Sequence, residues 1–206
     1  MTQESREICS DFVARAVVAS LFALLTINLV ADFANTHRAT GLLLVVSEAL
    51  VVVLTILRRR ARIVDRSPKA VVATMLSLVG PTLVRSSVGP SLVPDAVSLL
   101  VSAVGLVVVI AGKLTLGRSF GIAPANRGIV VAGPYAFVRH PIYAGYLLTH
   151  LGFACAYPSP WNLAILILAD SALVVRALCE ERVLVNDRAY QSYCRRVTWH
   201  LVPGVF

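Results

Sequence analysis

One group of residues able to do chemistry is the pair Arg139-His140, which precedes Pro141. Proline is favoured in the first turn of a helix, where its missing N–H costs nothing, so the pair is predicted to lie at a helix start. Backbone N–H groups at such a start can hold an anion, and a histidine there can bind a hydroxyl or act as a base. Tyr143 follows about half a turn later, and Gly145 would let another backbone or a ligand approach closely.

A second group consists of Arg176 and the pair Glu180-Glu181. Arg176 and Glu180 are four residues apart, so they are predicted to share one face of a helix. The guanidinium offers a fork of donors to an anion, and the carboxylates suit a cation. An ordinary i,i+4 ion pair between Arg176 and Glu180 is the alternative interpretation.

The elements that must position these groups are strongly apolar. Of the 206 residues, 57% are hydrophobic and 15% are charged, and the mean hydropathy is +0.78. Soluble domains are about one quarter charged, so this composition excludes an ordinary soluble domain and a disordered or collagen-like chain. It predicts an all-α, polytopic transmembrane bundle with five or six membrane segments, forming a single integral membrane domain over 1–206. The predicted spans are 16–34, 41–57, 70–84, 96–112, 142–157 and 161–178.

The placement of the basic residues predicts how the bundle is oriented. All lysines and arginines except Arg38 and Arg85 fall on one side of the predicted spans, the side that also holds both termini. The positive-inside rule therefore predicts that both termini are cytoplasmic in a multi-pass protein of the inner or cell membrane. The run 58–62 is a topology signal that also contacts anionic membrane lipids, so the net charge of +8 requires no nucleic acid.

The chain changes character at about residue 113. Residues 1–112 are predicted to be scaffold helices, in which Glu48 is either a functional acid or the partner of a polar group between helices. Residues 113–206 are predicted to be the catalytic region. The connection 113–141 alternates turn formers with apolar patches, which indicates an ordered loop.

The last two spans are predicted to form a helical hairpin that turns at 158–160, and both are short for a full crossing. The hairpin would return Arg176 to the boundary where Arg139 and His140 lie. A snorkelling polar rim is the alternative, but the full set of residues, joined by an ordered loop, favours a site on the cytoplasmic side.

Four motifs in this half of the chain resemble the isoprenylcysteine carboxyl methyltransferase family, in its bacterial and archaeal integral membrane form. They are Gly133-Pro134-Tyr135, Arg139-His140-Pro141-Ile142-Tyr143-Ala144-Gly145, Glu180-Glu181-Arg182-Val183-Leu184 and Tyr190-Gln191-Ser192-Tyr193. The RHPxYxG and EExxL pair is also similar to phospholipid N-methyltransferases, and membrane sterol reductases carry a similar HPxYxG. The resemblance covers about 113–206, and it departs at 197–200, where many relatives have Val-Pro-Arg.

The resemblance implies S-adenosylmethionine as cofactor and no metal. The cofactor-binding residues it implies are Arg127, Gly128, Ile129, Val130, Tyr135, His140, Pro141, Ile142, Tyr143 and Glu180. The implied catalytic residues are Arg139, Arg176, Glu180 and Glu181, and the implied substrate-binding residues are Arg176, Tyr146 and Tyr190. The loop 113–141 would then be a lid that excludes water from the reacting centre.

The predicted function is therefore methyl transfer to a lipophilic, small or prenylated acceptor, with carboxyl O-methylation of an isoprenylcysteine-like substrate favoured. A carboxylate is ionised at pH 7 and needs no base, only a fixed cation such as Arg176. The donor would enter from the cytoplasm and the acceptor from the bilayer.

Three alternatives stay open. A phospholipid amine acceptor would need a base, for which His140, His150 or Glu181 could serve. A sterol-reductase-like enzyme would bind NADPH, and a non-enzymatic membrane scaffold or transporter would bind no cofactor. The sequence carries no signal for an oligomeric state.

Overall fold

The computed structural model describes residues 39–85 and 90–205, together with separate positions between 12 and 30. Within these ranges, side chains are described from residue 46 onward, with the exception of Glu48, and also at the separate positions between 12 and 30. The predicted span 16–34, apart from a few helical positions, and the side chain of Glu48 therefore lie outside the described residues.

The described part of the chain is mainly helical, as the hydropathy predicted. The helices are α1 (Ala39–Leu57), α2 (Pro68–Val79, continued by a 3-10 turn over Gly80–Leu83), α3 (Asp95–Leu116), α4 (Pro141–Ala156), α5 (Pro160–Leu184) and α6 (Arg188–Arg196). Two of them, α3 with its extension to Ser119 and α5, are long and apolar enough to cross a membrane, at 25 residues each. At about 1.5 Å per residue, such a helix is roughly 37 Å long, which exceeds the hydrocarbon core.

Side-chain caps mark where three of these helices begin. Ser67 and Ser159 each accept a hydrogen bond from a backbone N–H in the first turn of the following helix, and a proline occupies its first position. Asp187 caps α6 in the same way. Such caps satisfy N–H groups that a helix leaves unpaired. The predicted hairpin turn at 158–160 is confirmed.

The second arm of that hairpin is longer than predicted. α5 continues through Arg176 and the acidic pair to Leu184, so it has 25 residues and is not short for a full crossing. The polar run does not end the helix because Arg, Glu and Leu all have good helix propensity and no Gly or Pro intervenes before residue 185. The first arm, α4, has 16 residues, close to the prediction.

α3 and α4 pack against each other through small residues. A Cβ atom on Gly145 would lie 2.6 Å from the carbonyl oxygen of Gly105, and a Cβ on Gly105 would lie 2.6 Å from that of Gly145. Gly152 meets Ser98 and Ser102 of α3 in the same way. Small residues let helix backbones approach closely in membranes. The close approach predicted at Gly145 is therefore made by the backbone of α3.

The connection between α3 and α4 is ordered, as predicted. It contains 3-10 turns at Gly117–Ser119 and Gly133–Ala136 and a strand β2, Ala125–Asn126, which pairs antiparallel with β1, Ile63–Val64. The all-α prediction describes the helices, and this short antiparallel pairing is an addition to it within the described residues. Two-residue strands are too short to produce an alternating sequence pattern, so the pairing could not be read beforehand.

Candidate active site

A single cavity gathers most of the residues singled out from the sequence. It lies between the loop 117–139, the start of α4, the end of α5 and the buried face of α6. The predicted residues that line it are Arg127, Gly128, Ile129, Val130, Tyr135, Arg139, His140, Ile142, Tyr143, Tyr146, Arg176, Glu180 and Tyr190. Pro141 and Glu181 do not line it. The individual roles assigned to these residues stay predictions.

Tyr143 connects the two predicted groups of charged residues. Its hydroxyl donates a 2.8 Å hydrogen bond to Oε2 of Glu180, and the guanidinium carbon of Arg176 lies 5.2 Å from the centre of its ring. The ring also stacks on His140, with 5.3 Å between centroids and 2° between planes. The first turn of α4 and the last turns of α5 therefore present one continuous polar surface to the cavity.

Arg176 is buried, with 6% of its surface exposed. One of its terminal N–H groups donates to the carbonyl oxygen of Ile122 in the loop, while its Nε has no hydrogen-bond partner. The predicted alternative, an ion pair with Glu180, does not form within 4.0 Å among the described residues. A buried cation without a carboxylate partner is costly unless an anion joins it.

Glu181 faces a different set of partners from Glu180. Its carboxylate contacts Arg139 at 3.3 Å, Nε2 of His140 at 2.9 Å and Nδ1 of His200 at 2.6 Å. Arg139 also donates to the carbonyl oxygens of Val197 and Cys194. Glu181 therefore makes its contacts behind the cavity wall. Arg139 connects that wall to the end of α6 and to the residue that follows it.

The loop residues Arg127 and Gly128 are held by local contacts. Nη1 of Arg127 donates to the carbonyl oxygen of Ala123, and a Cβ at Gly121 would lie only 2.3 Å from that Nη1. Gly128 has φ +103°, a conformation that favours glycine, and its N–H donates to Oδ1 of Asn126. The positive φ explains the glycine at 128, and the glycine at 121 leaves room for the guanidinium of Arg127.

Three tyrosines outside the membrane-spanning helices keep their protons. Burial raises the pKa of Tyr135 and Tyr190 well above the ordinary value, and it raises the pKa of Tyr193 to about 12. The hydroxyl of Tyr193 donates 2.7 Å to the carbonyl oxygen of Tyr135, so α6 is fastened to the 3-10 turn at 133–136. These groups act as neutral hydrogen-bonding and packing residues at physiological pH.

Sequence reasoning missed several walls of the cavity. Val51 of α1 and Leu78 of α2 line it, although the first half of the chain was expected to be scaffold alone. The other lining residues given no role beforehand are Leu116, Ser119, Phe120, Gly121, Ile122, Ala125, Leu184 and Tyr193. Tyr193 and Leu184 carried a signal, as members of the YxxY and EExxL motifs. The others are apolar or small and resemble ordinary core residues.

The loop is also tied to α6 by a contact that no motif indicated. Nδ2 of Asn126 donates a 3.0 Å hydrogen bond to Oδ2 of Asp187, across 61 residues of sequence. This bond is the main reason that the pKa of Asp187 is lowered. The sequence can suggest Asp187 as a helix cap, but its pairing with Asn126 depends on tertiary structure.

Comparison with known proteins tests the resemblance to the membrane methyltransferases. Residues 93–191 match the family model described as phospholipid methyltransferase. The resemblance to the membrane methyltransferases is confirmed. The matched region contains α3, α4, α5 and the first residues of α6, and so most of the cavity.

The proteins similar to this chain include a solved membrane enzyme structure and a sterol reductase. A solved structure of the eukaryotic intramembrane Ras methyltransferase, isoprenylcysteine carboxyl methyltransferase, shares its fold with a TM-score of 0.51 over 99% of this chain and 88% of that chain, at 17% identity. A Delta(14)-sterol reductase of Mus musculus is 33% identical over 105 residues. That stretch is 47% of this chain and 23% of the reductase, so the chain spans about a quarter of that relative's length.

Proposed function

We propose that this protein is an integral membrane methyltransferase that uses S-adenosylmethionine and methylates the carboxylate of a lipophilic acceptor of the isoprenylcysteine type. The active site would face the cytoplasm, with both termini on that side. The observation that carries the proposal is Arg176, a buried guanidinium in a cavity lined by the motif residues, with an Nε that has no partner.

An anionic acceptor would complete the surroundings of Arg176. A buried cation is stabilised when a carboxylate accepts two of its N–H groups, and Nε with its neighbouring terminal nitrogen forms such a fork. The guanidinium carbon lies over the ring of Tyr143, 5.2 Å from its centre, a cation–π contact that helps to hold Arg176 in place. Because an acceptor carboxylate is ionised at neutral pH, this chain needs to supply no base, only a fixed orientation.

The other side of the cavity has the charge that a cationic donor needs. S-adenosylmethionine, when bound, supplies a methyl group made electrophilic by a sulfonium. Glu180 lines the cavity with one oxygen held by Tyr143, and its side chain is 28% exposed, so the carboxylate is fixed yet open to a cation. Ile129 and Val130 offer an apolar wall to a nucleobase. Anionic and cationic subsites are then one helical turn apart on α5, about 6 Å.

The loop between α3 and α4 would act as the lid. Phe120 and Ile122 are buried and belong to the main hydrophobic core, and the carbonyl of Ile122 bonds to Arg176. The loop thus covers the proposed acceptor subsite and excludes water from it, which strengthens charge interactions there. Arg176 lies within α5, a helix able to span the bilayer, so a lipophilic acceptor could approach along the membrane.

The test is ligand binding to detergent-purified protein. S-adenosylmethionine should bind saturably, and Glu180→Gln should weaken that binding, whereas Asp95→Asn, which removes an exposed carboxylate at the start of α3, should not. Turnover is then compared with a prenylcysteine and with phosphatidylethanolamine. Methyl ester formation on the prenylcysteine is the expected result. Methylation of the amine alone would overturn the carboxylate acceptor.

The reductase match favours one second candidate, a reduction that uses NADPH. It rests on the 33% identity to the mouse sterol reductase over the stretch described above. NADPH is therefore titrated alongside S-adenosylmethionine in the same preparation. Saturable binding of NADPH without binding of S-adenosylmethionine would replace the proposed function with this one.

A further inference from the structure

The segment that follows α6 returns to the start of α4 and pairs with it through backbone hydrogen bonds. The N–H of Arg139 donates to the carbonyl oxygen of Trp199 over 3.0 Å, and the N–H of His140 donates to that of His200 over 2.9 Å. Leu201, the next residue, is buried in the main hydrophobic core. The position of His200 is therefore set by backbone pairing and by an apolar anchor.

One carboxylate oxygen joins two imidazoles at this point. Oε1 of Glu181 lies 2.9 Å from Nε2 of His140 and 2.6 Å from Nδ1 of His200. An ionised carboxylate only accepts hydrogen bonds, so each of these two ring nitrogens must carry a hydrogen. In a neutral imidazole, the other ring nitrogen is then an acceptor.

The surrounding donors agree with that assignment. Nε2 of His200 lies 3.5 Å from Nη1 of Arg139, which can only donate. Oε2 of Glu181 accepts a hydrogen bond from the same guanidinium group, at 3.3 Å. With both imidazoles neutral, every hydrogen in the network then has one consistent place: Nε2 of His140 is protonated and its Nδ1 is an acceptor.

We propose that Glu181 and His200 are positioning residues, which hold His140 as the Nε2–H tautomer so that its Nδ1 is offered as an acceptor beside Glu180. Nδ1 of His140 lies 3.9 Å from Oε2 of Glu180, and stacking on Tyr143 fixes the plane of the ring. Two neighbouring acceptors bind a hydroxyl or an ammonium and repel a carboxylate. This inference rests on the proposed function for the identity of its ligand. Nδ1 of His140 and Glu180 would bind the ammonium or the ribose hydroxyls of S-adenosylmethionine, and the carboxylate of S-adenosylmethionine would bind elsewhere in the cavity.

The tautomer can be measured without any ligand. Protein labelled with ¹⁵N-histidine is observed by NMR in detergent, and the His140 signals are identified by their loss in His140→Gln. In the wild-type protein, Nε2 of His140 should have the ¹⁵N chemical shift of a protonated ring nitrogen, and Nδ1 should have that of an unprotonated ring nitrogen. Glu181→Leu should convert these signals to an averaged mixture of tautomers. An unprotonated Nε2 of His140 in the wild-type protein would overturn the proposal, and so would unchanged His140 signals in Glu181→Leu.

The contribution of His200 is tested with a matched pair of variants. In His200→Asn, the side-chain amide can donate from nearly the place of Nδ1, whereas His200→Leu has no donor. His200→Leu should weaken S-adenosylmethionine binding by about tenfold, as loss of an orienting partner commonly does, and raise its KM more than it lowers kcat. His200→Asn should restore most of the affinity. Equal losses in both variants would leave His200 with a packing role only and overturn its part in the proposal.

The proposed function and the positioning role of Glu181 and His200 can be overturned independently of each other. If the wild-type protein binds no S-adenosylmethionine, the proposed function fails, while the tautomer measurement still decides the role of Glu181. If Glu181→Leu does not fold, judged by thermal unfolding, the His200 pair carries the test.

Discussion

The hydroxyl of Tyr143 donates a 2.8 Å hydrogen bond to Oε2 of Glu180. The same ring lies 5.2 Å from the guanidinium carbon of Arg176, so one side chain touches both the proposed cation subsite and the proposed anion subsite. Tyr143 belongs to the first turn of α4 and its two partners belong to α5. Any change in the packing of these two helices would therefore alter both subsites together.

Tyr143→Phe separates the two contacts, because it removes the hydroxyl and keeps the ring. We expect S-adenosylmethionine to bind about fivefold more weakly, since a hydrogen bond to a carboxylate contributes roughly 1 kcal/mol when it is partly exposed. The acceptor KM should stay nearly constant. Isothermal titration calorimetry gives the first quantity and initial rates give the second. Tyr157→Phe, at the hairpin turn, is the control, and an equal loss in that variant would contradict the prediction.

Arg176→Gln should lower kcat/KM for the acceptor by about 100-fold, because it removes the buried cation that would hold the acceptor carboxylate. Binding of S-adenosylmethionine should change by less than about twofold, since one helical turn separates the two subsites. The control is Arg60→Gln, which removes an exposed arginine of the loop after α1. Loss of donor binding in Arg176→Gln, with acceptor kinetics preserved, would reverse the assigned roles.

Gly145→Ala should destabilise the protein, because its Cβ would lie 2.6 Å from a backbone oxygen of α3, which cannot move aside as a flexible side chain can. We expect a loss of about 1–3 kcal/mol, typical of overpacking a close interface. Thermal unfolding in detergent measures it. Leu151→Ala, on the exposed side of the same helix, should produce the smaller shift. A larger effect at Leu151 would mean that α3–α4 contact contributes little.

His150 and Asp170 form a hydrogen-bonded pair in the middle of the α4–α5 hairpin, with 2.6 Å between Nδ1 and Oδ1. Replacing either one by leucine should cost about 3 kcal/mol, because the partner is left unpaired in an apolar setting. The double replacement should cost less than the sum of the two, as expected for groups in contact. A double-mutant cycle on unfolding free energies measures the coupling, and strict additivity would mean that the pair is independent in solution.

The predicted topology has its own test. Single cysteines are introduced at Arg60, Arg195 and Leu92, all exposed positions, in a background without the four native cysteines. A membrane-impermeant thiol reagent applied outside intact cells should label only the cysteine at 92, because the positive-inside rule puts the basic loops in the cytoplasm. External labelling at 60 or 195 would reverse the orientation.

Local signals in the sequence predicted much of this architecture. Apolar runs of the right length predicted helices at α1 to α5, and the turn formers at 158–160 predicted the hairpin, because hydropathy and turn chemistry act over a few residues. The polar helix α6 was not predicted by any apolar run. The underestimate of the length of α5 has a physical reason. The predicted span ended at 178, where charged residues begin, while the helix was already expected to carry Arg176 and Glu180; good helix formers extend it to Leu184.

The sequence by itself determined that Glu180 and Glu181 are adjacent acids near the end of a helix, within a motif shared with membrane methyltransferases. Only the tertiary structure decided that they have separate partners. Successive residues on a helix point about 100° apart, so Glu180 meets Tyr143 in the cavity while Glu181 meets His140 and His200 behind it. The packing of the whole chain decides which distant segment lies in each of those two directions. A local sequence pattern cannot predict it.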